Sequence, residues 1–350
     1  MNLTGRRGFA SDNSATVHPE VLAAIERVNV GHVYGYGHDH YTRHVERLVA
    51  EQFSERARVY FVFNGSGANV LALRAACGPG QAAICAATAH LNVDECGAPE
   101  AIAGVKLLAV AGRDGKLTPE MVEGRIERVG DEHAVQPRVV TISQSTELGT
   151  LYTIGELRAL AELCHQRGLL LHVDGARLSN AAAALRVSLA QITADCGVDI
   201  VSFGGTKNGL LGAEAVIVLR EELAHGFAYL RKQTVQLASK MRYLAAQFEA
   251  LISDELWLRC AASANAMAAR LAHAIADVPG VTITRPVQTN AVFARIAPSA
   301  AASLQQRYPF YVWDEREHEV RWMCSWDTTE EDIDEFATAI RSRRKEHLVC

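Results

Sequence analysis

Two residues at the ends of predicted strands carry groups that are unfavourable to bury. Lys207 follows the apolar run in "VDIVSFGGTKNG", and Asp174 follows the run in "LLLHVDGAR". A buried amine or carboxylate is stable only when it is paired, neutralised or bound to a ligand. Asp174 could pair with Arg177, three residues later, or form a plain salt bridge with Lys207. Alternatively, Asp174 and Lys207 could lie on either side of a cofactor that needs an anion at one end and an amine at the other.

A glycine-rich turn and a histidine complete a set that suits such a cofactor. Gly65, Ser66 and Gly67 in "FNGSGAN" follow a strand and open a helix, so their N–H groups and a hydroxyl can bind a phosphate. The turn matches neither the P-loop nor the dinucleotide-binding pattern, and alone it also fits an ordinary tight turn. His90 ends the next strand, where it could stack on a ring or be a satisfied polar residue. Pyridoxal phosphate needs an acid at its ring nitrogen and an amine for its aldehyde, and it offers a phosphate and a ring face.

The elements that must position these residues are buried strands alternating with helices. Short runs rich in Val, Ile and Leu predict an α/β fold with a mostly parallel seven-stranded sheet, and ligands of such sheets bind at the carboxyl ends of the strands. Capping boxes predict helix starts at Thr153 with Glu156 and at Thr328 with Glu331. The seven runs are "VYFVFNGSG", "AAICAATAH", "KLLAVAG", "RVVTISQS", "LLLHVDGAR", "DIVSFGGTK" and "AVIVL".

The pattern changes after about residue 241. A long alanine-rich helical stretch leads into four short strands and a capped helix, which predicts a small α+β domain. We therefore expect an N-terminal arm over residues 1–30, a large cofactor-binding α/β domain over residues 31–245 and a small C-terminal α+β domain over residues 246–350.

Composition limits the partners and the location. The chain has 350 residues and a net charge of −5, which argues against nucleic acid or an acidic membrane as partner. No apolar run approaches the roughly 20 residues that span a bilayer. The eight cysteines include no C-x-x-C pair, so reduced thiols in a cytoplasmic protein are expected. In the histidine-rich stretch from His32 to His44, only His40 and His44 have helical ligand spacing, and we expect no catalytic metal.

These residues and their surroundings resemble the low-specificity L-threonine aldolases, which belong to the pyridoxal-phosphate enzymes of fold type I (aspartate-aminotransferase-like). The resemblance covers nearly the whole chain, and it is shared with L-phenylserine aldolases. It implies cleavage of L-threonine, L-allo-threonine or a related β-hydroxy-α-amino acid to glycine and an aldehyde, by retro-aldol Cα–Cβ cleavage through a quinonoid. It also implies a homodimer or homotetramer with active sites shared between subunits. The matching stretches include "SDN", "GYGHD", "NGSGAN", "AHLNVDECGAPE", "ISQSTELGTLY", "LHVDGAR", "GVDIVSFGGTKNG" and "LASKMR".

The resemblance implies which residues would hold the cofactor. Lys207 would form the internal aldimine, Asp174 would pair with the ring nitrogen and His90 would stack on the ring. A neighbouring subunit would add Tyr36 and one cation, either Lys240 or Arg242. The phosphate would be held by Gly65, Ser66, Gly67, Thr206 and that cation.

The resemblance also implies which residues would bind the substrate. Arg321 would clamp the substrate carboxylate with help from Ser11, and Arg177 would reach either that carboxylate or the ring hydroxyl. Many relatives carry a second histidine where this chain has Glu147. The expected base is therefore His90, or a water held by His90 and Glu147.

Other functions remain open at this level. An aminotransferase or a β-eliminating lyase would keep the cofactor and change the bond that breaks, and a non-catalytic cofactor-binding protein would keep only the fold. The stretches "DECGAPE" and "DGAR" favour the aldolase. The segment "FYVWD" and Trp322 near the expected pocket could suit an aromatic aldehyde.

Overall fold

The structure is a computed structural model that describes residues 7–342. The seven predicted runs form one sheet in the order β1-β7-β6-β5-β4-β2-β3. The five strands from β2 to β6 pair in parallel, while β7 runs antiparallel to both β6 and β1. The prediction of a mostly parallel seven-stranded sheet is confirmed. The strands are β1 (Arg58–Val62), β2 (Gln81–Ala86), β3 (Lys106–Val110), β4 (Gln136–Ser143), β5 (Leu170–Gly175), β6 (Ile200–Gly204) and β7 (Glu214–Val218).

Twelve α-helices, along with shorter 3₁₀ and π turns, lie within the described residues, and most of the α-helices cover this sheet. Their starts follow local chemistry, as at Thr153, whose side chain and Glu156 form the predicted capping box. The helices are α1 (Pro19–Arg27), α2 (His40–Glu51), α3 (Gly65–Ala76), α4 (His90–Val93), α5 (Pro119–Glu123), α6 (Ile154–Gln166), α7 (Leu178–Leu185), α8 (Phe227–Gln233), α9 (Met241–Ile252), α10 (Leu256–Ile275), α11 (Pro298–Gln305) and α12 (Glu330–Ser342).

Side chains of the large sheet alternate between its two faces. On β5, Leu171 and Val173 pack into the larger core, which includes residues of α1, α2, α6, α7 and α9. Asp174 points to the opposite face, where Asn69 of α3 donates a hydrogen bond to it. Because of this alternation, β5 can carry the Asp174 carboxylate at its carboxyl end while Leu171 and Val173 on the other face remain in the apolar core.

A second, antiparallel sheet follows in the last third of the chain, in the order β10-β11-β9-β8. Its strands are β8 (Thr282–Ile283), β9 (Ala291–Arg295), β10 (Tyr311–Asp314) and β11 (Glu319–Met323). Its core includes residues of α10, α11 and α12 together with Phe9. Since α10 also contacts α7, it joins the two sheets. The predicted domain boundaries after residues 30 and 245 stay a prediction. Phe9 and α1 place parts of the first 30 residues in both cores.

The alanine-rich helical stretch forms two helices, since Asp254 and Glu255 take positive φ angles of 49° and 52° between α9 and α10. Two other local expectations were wrong in detail. The box at the start of α12 is formed by Thr329 and Asp332, one residue later than predicted. Trp322 does not approach the expected pocket, because its side chain is fully buried against Phe336 in the small core.

Within residues 7–342, no helix has the length and apolar character needed to cross a membrane. In the same part of the chain, no three His, Cys, Asp or Glu side chains gather closely enough to hold a metal ion.

Candidate active site

Predicted site residues gather in one cavity at the carboxyl ends of the central strands. The cavity has a volume of about 280 Å³ and lies where β5 and β6 end and where α3 begins. Its lining places Asp174, Lys207 and His90 together. The lining residues are Asn13, Phe63, Asn64, Gly65, Ser66, Ala68, His90, Asp174, Ala176, Ser202, Phe203, Gly204, Thr206, Lys207, Gly212 and Glu214.

Asp174 is held by two hydrogen-bond donors. Its Oδ2 accepts from the Asn69 side-chain amide at 2.8 Å, and its Oδ1 accepts from the Ala176 N–H at 3.0 Å. The ion pair with Arg177, one alternative from the sequence, does not form because Arg177 binds Asp12 instead. Both oxygens of Asp174 are therefore oriented without a direct cation contact, which leaves its charge available to a ligand in the cavity.

Lys207 lies in a short 3₁₀ turn, Thr206–Asn208, directly after β6. Its ammonium has no hydrogen-bond or ion-pair partner within residues 7–342, and the alternative of a plain salt bridge to Asp174 is not observed. Burial lowers the pKa of Lys207, and the positive charge of Arg177 lowers it further. Both effects favour a neutral amine, which is the nucleophilic form of lysine.

An anion site lies at the start of α3. Asn64 caps the helix by accepting the Gly67 N–H on its side chain at 2.8 Å, while its carbonyl accepts the Ala68 N–H. The N–H groups of Gly65 and Ser66 have no partner in the described part of the chain. A Cβ built on Gly65 would meet no atom within 4 Å, so the space above this helix start is open. Two free N–H groups at a helix N-terminus are suited to a phosphate.

Gly67 also has a packing role. Its N–H donates to the Asn64 side chain, and a Cβ at this position would lie 2.4 Å from the Gln236 side chain. Gly67 therefore allows Gln236 to pack against the helix start, where Gln236 accepts the Phe63 N–H at 3.0 Å. A phosphate contact from Gly67 stays a prediction.

His90 begins α4 and does not end a strand, since β2 stops at Ala86. Its Nδ1 lies 3.0 Å from Oε1 of Glu95, whose side chain is fully buried. The same Glu95 oxygen accepts from Asn69 at 2.9 Å. The Glu95 contact raises the pKa of His90, against the effect of burial.

Glu147 lies behind His90 and does not line the cavity. Its Oε1 accepts the His90 main-chain N–H at 2.9 Å and the Ser143 hydroxyl at 2.5 Å. Its Oε2 is buried without a partner in the described residues, and burial raises the pKa of Glu147. Glu147 therefore fixes the backbone of His90, and it forms no hydrogen bond with the imidazole ring in the described residues.

Arg177 forms a buried bidentate ion pair with Asp12. Its Nε and Nη2 donate to the Asp12 carboxylate at 2.7 and 2.9 Å. Asp12 also accepts from Asn290 at 3.1 Å, so the N-terminal segment is tied to both sheets. These bonds leave both hydrogens of Nη1 and one hydrogen of Nη2 without a partner within residues 7–342, so both atoms can still bind a ligand. Ser11, expected at the substrate, caps the first turn by accepting the Asn13 N–H at 3.1 Å.

Arg321 of β11 is a partly buried cation that lacks an anionic partner among residues 7–342. Its guanidinium carbon lies 4.8 Å from the Trp313 ring centroid and 5.7 Å from that of Tyr311, and Nη2 donates to the Ala10 carbonyl. Its Nε is buried and unpaired. Burial, followed by the charge of Arg177, lowers the pKa of Arg321 to about 10. Such a group is suited to bind a carboxylate in bidentate fashion.

Tyr36 and Lys240 lie together on the surface and outside the cavity. The Tyr36 N–H donates to the Ser239 carbonyl at 2.9 Å, and the Tyr36 side chain is 46% exposed. Lys240 lines a separate surface depression. The nearby Arg242 donates to the Val30 carbonyl at 2.9 Å and is therefore engaged within its own chain.

The donor set fits pyridoxal phosphate. An unpaired amine, an oriented carboxylate and a helix start with free N–H groups line the same cavity, and His90 offers a flat ring beside them. Thr206 lies next to Lys207, where its hydroxyl contacts the buried Glu214 carboxylate and accepts the Ala213 N–H at 3.3 Å.

Three supporting residues were not found from the sequence. Asp12 is adjacent to the predicted Ser11, and Glu95 lies within the quoted "DECGAPE" stretch. Asn69 has the clearest signal, because it is a polar residue on the buried face of an otherwise apolar helix. Their importance comes from partners that are distant in sequence, such as Arg177 for Asp12.

Comparisons with known proteins show the family to which the chain belongs. Residues 8–299 match the family model described as β-eliminating lyase. The low specificity L-threonine aldolase of Pseudomonas aeruginosa is 44% identical over 335 residues, which cover 95% of this chain and 96% of that protein. The protein of the same name from Pseudomonas sp. (strain NCIMB 10558) is 43% identical over 95% of this chain and 97% of its own. The solved threonine aldolase of Leishmania major has a TM-score of 0.91 and 31% identity, covering 96% of this chain and 99% of that chain.

Proposed function

The chain belongs to the β-eliminating lyase family, in which it is similar to the low-specificity L-threonine aldolases, and from this premise we propose that it is a pyridoxal-phosphate-dependent aldolase. It cleaves L-threonine, L-allo-threonine or a related β-hydroxy-α-amino acid to glycine and an aldehyde. One observation carries the proposal: Lys207 and Asp174 line the same cavity, beside a helix start with free N–H groups, and do not pair with each other.

Different residues of the cavity bind different parts of the cofactor. Gly65, Ser66 and Thr206 hold the phosphate, and Lys207 provides the amine that binds the aldehyde. Asp174 keeps a proton on the ring nitrogen, because an ionised carboxylate beside that nitrogen favours its positive form. When bound, pyridoxal phosphate supplies an electron sink for the pair left on the substrate Cα.

The substrate is oriented by a residue of the small sheet. Arg321 binds the substrate carboxylate, with Nη1 of Arg177 nearby and Ser11 assisting at the N-terminal segment. The Trp313 ring restrains the guanidinium, so the carboxylate is held in one position. Holding the carboxylate in this position would decide which bond to Cα is presented for cleavage when the cofactor is bound. For an aldolase it must be Cα–Cβ.

His90 is the base that takes the β-hydroxyl proton. It lines the cavity, and its pKa is raised toward the working range of a general base. Glu147 contributes by fixing the His90 backbone through the bond of 2.9 Å.

The products distinguish this function from its rivals. With L-threonine, the cofactor-loaded protein is expected to release glycine and acetaldehyde in equal amounts, measured by chromatography and a coupled aldehyde assay. A β-eliminating lyase would release 2-oxobutyrate and ammonia, and an aminotransferase would need an added keto acid. Either of these outcomes would contradict the aldolase assignment.

We also propose that the active sites are shared in a homodimer, or in a homotetramer built from such dimers. Tyr36 and Lys240 face outward, while Arg242 is occupied by a backbone carbonyl, which favours Lys240 as the cation given to the neighbouring site. Exposed apolar side chains of the same region would be covered by the second copy. They include Val30, Val33, Tyr34, Tyr229 and Val235.

A mixing experiment tests the shared site. K207A lacks its own amine, and K240A lacks the cation it would give its partner, so each homodimer is impaired. After joint refolding or co-expression, half of the dimers are mixed and each holds one intact site, so activity of about a quarter of the wild type is expected from two-fold symmetry. A mixture of K207A with K207R serves as the control and should stay inactive. Activity no higher than that of K240A alone would contradict a shared site.

We propose a cytoplasmic location. All seven cysteines of the described residues are free thiols, as expected for a reducing compartment.

A further inference from the structure

A chain of hydrogen bonds connects His90 to Asp174 beneath the cavity. The His90 Nδ1 lies 3.0 Å from Oε1 of Glu95. The Asn69 amide nitrogen donates to this same oxygen at 2.9 Å and to Oδ2 of Asp174 at 2.8 Å. The Glu95 side chain has no exposed surface, whereas 38% of the His90 side chain remains exposed.

The chemistry of Asn69 determines the direction of these bonds. A side-chain amide nitrogen has two hydrogens and no acceptor, so both carboxylate oxygens that it contacts are acceptors. An ionised Glu95 that already accepts from Asn69 then accepts the hydrogen on Nδ1 of His90. In the neutral imidazole, a hydrogen on Nδ1 leaves Nε2 as the atom with the free lone pair.

We propose that Glu95 is a positioning residue for His90: it holds the imidazole in the Nδ1–H form, so that Nε2 is the atom that takes the β-hydroxyl proton of the substrate. This rests on the proposed aldol cleavage. The arrangement follows the logic of catalytic triads, in which a buried carboxylate orients a histidine base without touching the substrate. Asn69 extends this arrangement. Its single side-chain amide donates to the Glu95 carboxylate, which contacts His90, and to the Asp174 carboxylate, which would pair with the cofactor ring.

A purely structural role for Glu95 does not explain why a carboxylate is buried at this position. Its second oxygen, Oε2, is buried without a partner in the described residues, which is unfavourable for a carboxylate. Packing alone would be served better by an apolar or amide side chain. Glu147 already restrains the backbone of His90, so the imidazole ring is the group left for Glu95 to orient.

The charge of Glu95 also affects the proton affinity of His90. The hydrogen bond that His90 donates to Glu95 raises the pKa of His90, burial lowers this pKa, the charge of Asp174 raises it and the charge of Lys207 lowers it. Glu147 accepts a hydrogen bond from the main chain of His90. Because protonated His90 cannot act as a base, activity is lost as the pH falls through this pKa. Removing the charge at position 95 lowers the pKa and moves that loss to a lower pH.

The variant Glu95→Gln tests this prediction. We expect kcat of the cofactor-loaded enzyme to fall about 10²-fold, the lower range for a general base, with little change in KM. The acid limb of the pH–rate profile should shift to lower pH. Glu100→Gln makes the same charge change at an exposed position of the neighbouring segment. This variant should leave kcat and the acid limb of the pH–rate profile unchanged. A Glu95→Gln enzyme with reduced activity and an unshifted limb would overturn the proposal.

Nitrogen NMR of the histidine rings gives a measurement that is independent of turnover. In the cofactor-loaded wild type, the His90 signal, assigned by its loss in His90→Gln, should show the Nδ1–H form. The pH at the midpoint of the His90 signal change should be lower in Glu95→Gln than in the wild type. A hydrogen on Nε2 in the neutral wild-type ring would overturn the proposal, even if Glu95→Gln does not fold. Failure of the aldolase assignment would instead appear as absent glycine release with the ring form unchanged.

Discussion

Replacement of Lys207 by alanine is expected to lower kcat for threonine cleavage by on the order of 10³-fold or more, as is usual when a covalently acting residue is removed. Lys207 has no hydrogen-bond partner among residues 7–342, so the fold does not depend on its ammonium. The thermal midpoint of unfolding should therefore stay near that of the wild type. Glycine release and the visible absorbance of the cofactor-loaded protein measure the effect.

Two matched variants separate the chemistry of Lys207 from its charge. Lys207→Arg keeps a positive charge in the cavity but cannot condense with an aldehyde, so it should be as inactive as the alanine variant. Lys106→Ala removes an exposed lysine at the opposite end of the sheet and should leave activity unchanged. Near-wild-type turnover by Lys207→Arg would exclude a covalent role for Lys207.

Replacement of Asp174 by asparagine is expected to lower kcat about 10²–10³-fold, the range for losing one preorganised electrostatic contact. The neutral amide cannot hold a proton on the ring nitrogen, so the electron sink is weakened. It also offers one acceptor where Asn69 and Ala176 need two, which should lower the free energy of unfolding by about 1–3 kcal/mol. Steady-state kinetics and thermal unfolding measure the two effects.

The controls for Asp174 test charge separately from stability. Asp195→Asn removes an exposed carboxylate and should change neither quantity. A cofactor methylated on the ring nitrogen carries a permanent positive charge, so it should restore part of the activity of Asp174→Asn and none of its stability. If Asp174→Asn with ordinary cofactor retained wild-type kcat, Asp174 would have only a structural role.

The large sheet was predictable because its inner strands are buried on both faces. Each strand reads as a continuous apolar run, and the polar residue that follows marks the edge where ligands bind. This is why Asp174 and Lys207 could be found before the fold was known. Helix starts were predictable to within one residue. At α12 the adjacent Thr328 and Thr329 each precede an acid by three residues, and only the structure shows that Thr329 caps the helix.

The supporting residues could not be predicted, because their partners are far apart in sequence. Asp12 meets Arg177 across 165 positions, and Asn69 meets Asp174 across 105. The misplaced Trp322 has a simpler cause. Adjacent residues of a strand face opposite sides, so because Arg321 faces the Tyr311 and Trp313 rings, Trp322 must face the core. The residues of β10 that flank Arg321 are Tyr311 and Trp313, two positions apart on one face.

The most direct test of the central claim is to identify the lysine that carries the cofactor. The protein is loaded with pyridoxal phosphate, reduced with borohydride to make the carbon–nitrogen bond permanent, digested and analysed by peptide mass spectrometry. We expect a single modified peptide, with the pyridoxyl phosphate group on Lys207. A protein that takes up no pyridoxal phosphate, or one that carries the group on another lysine, would contradict the account.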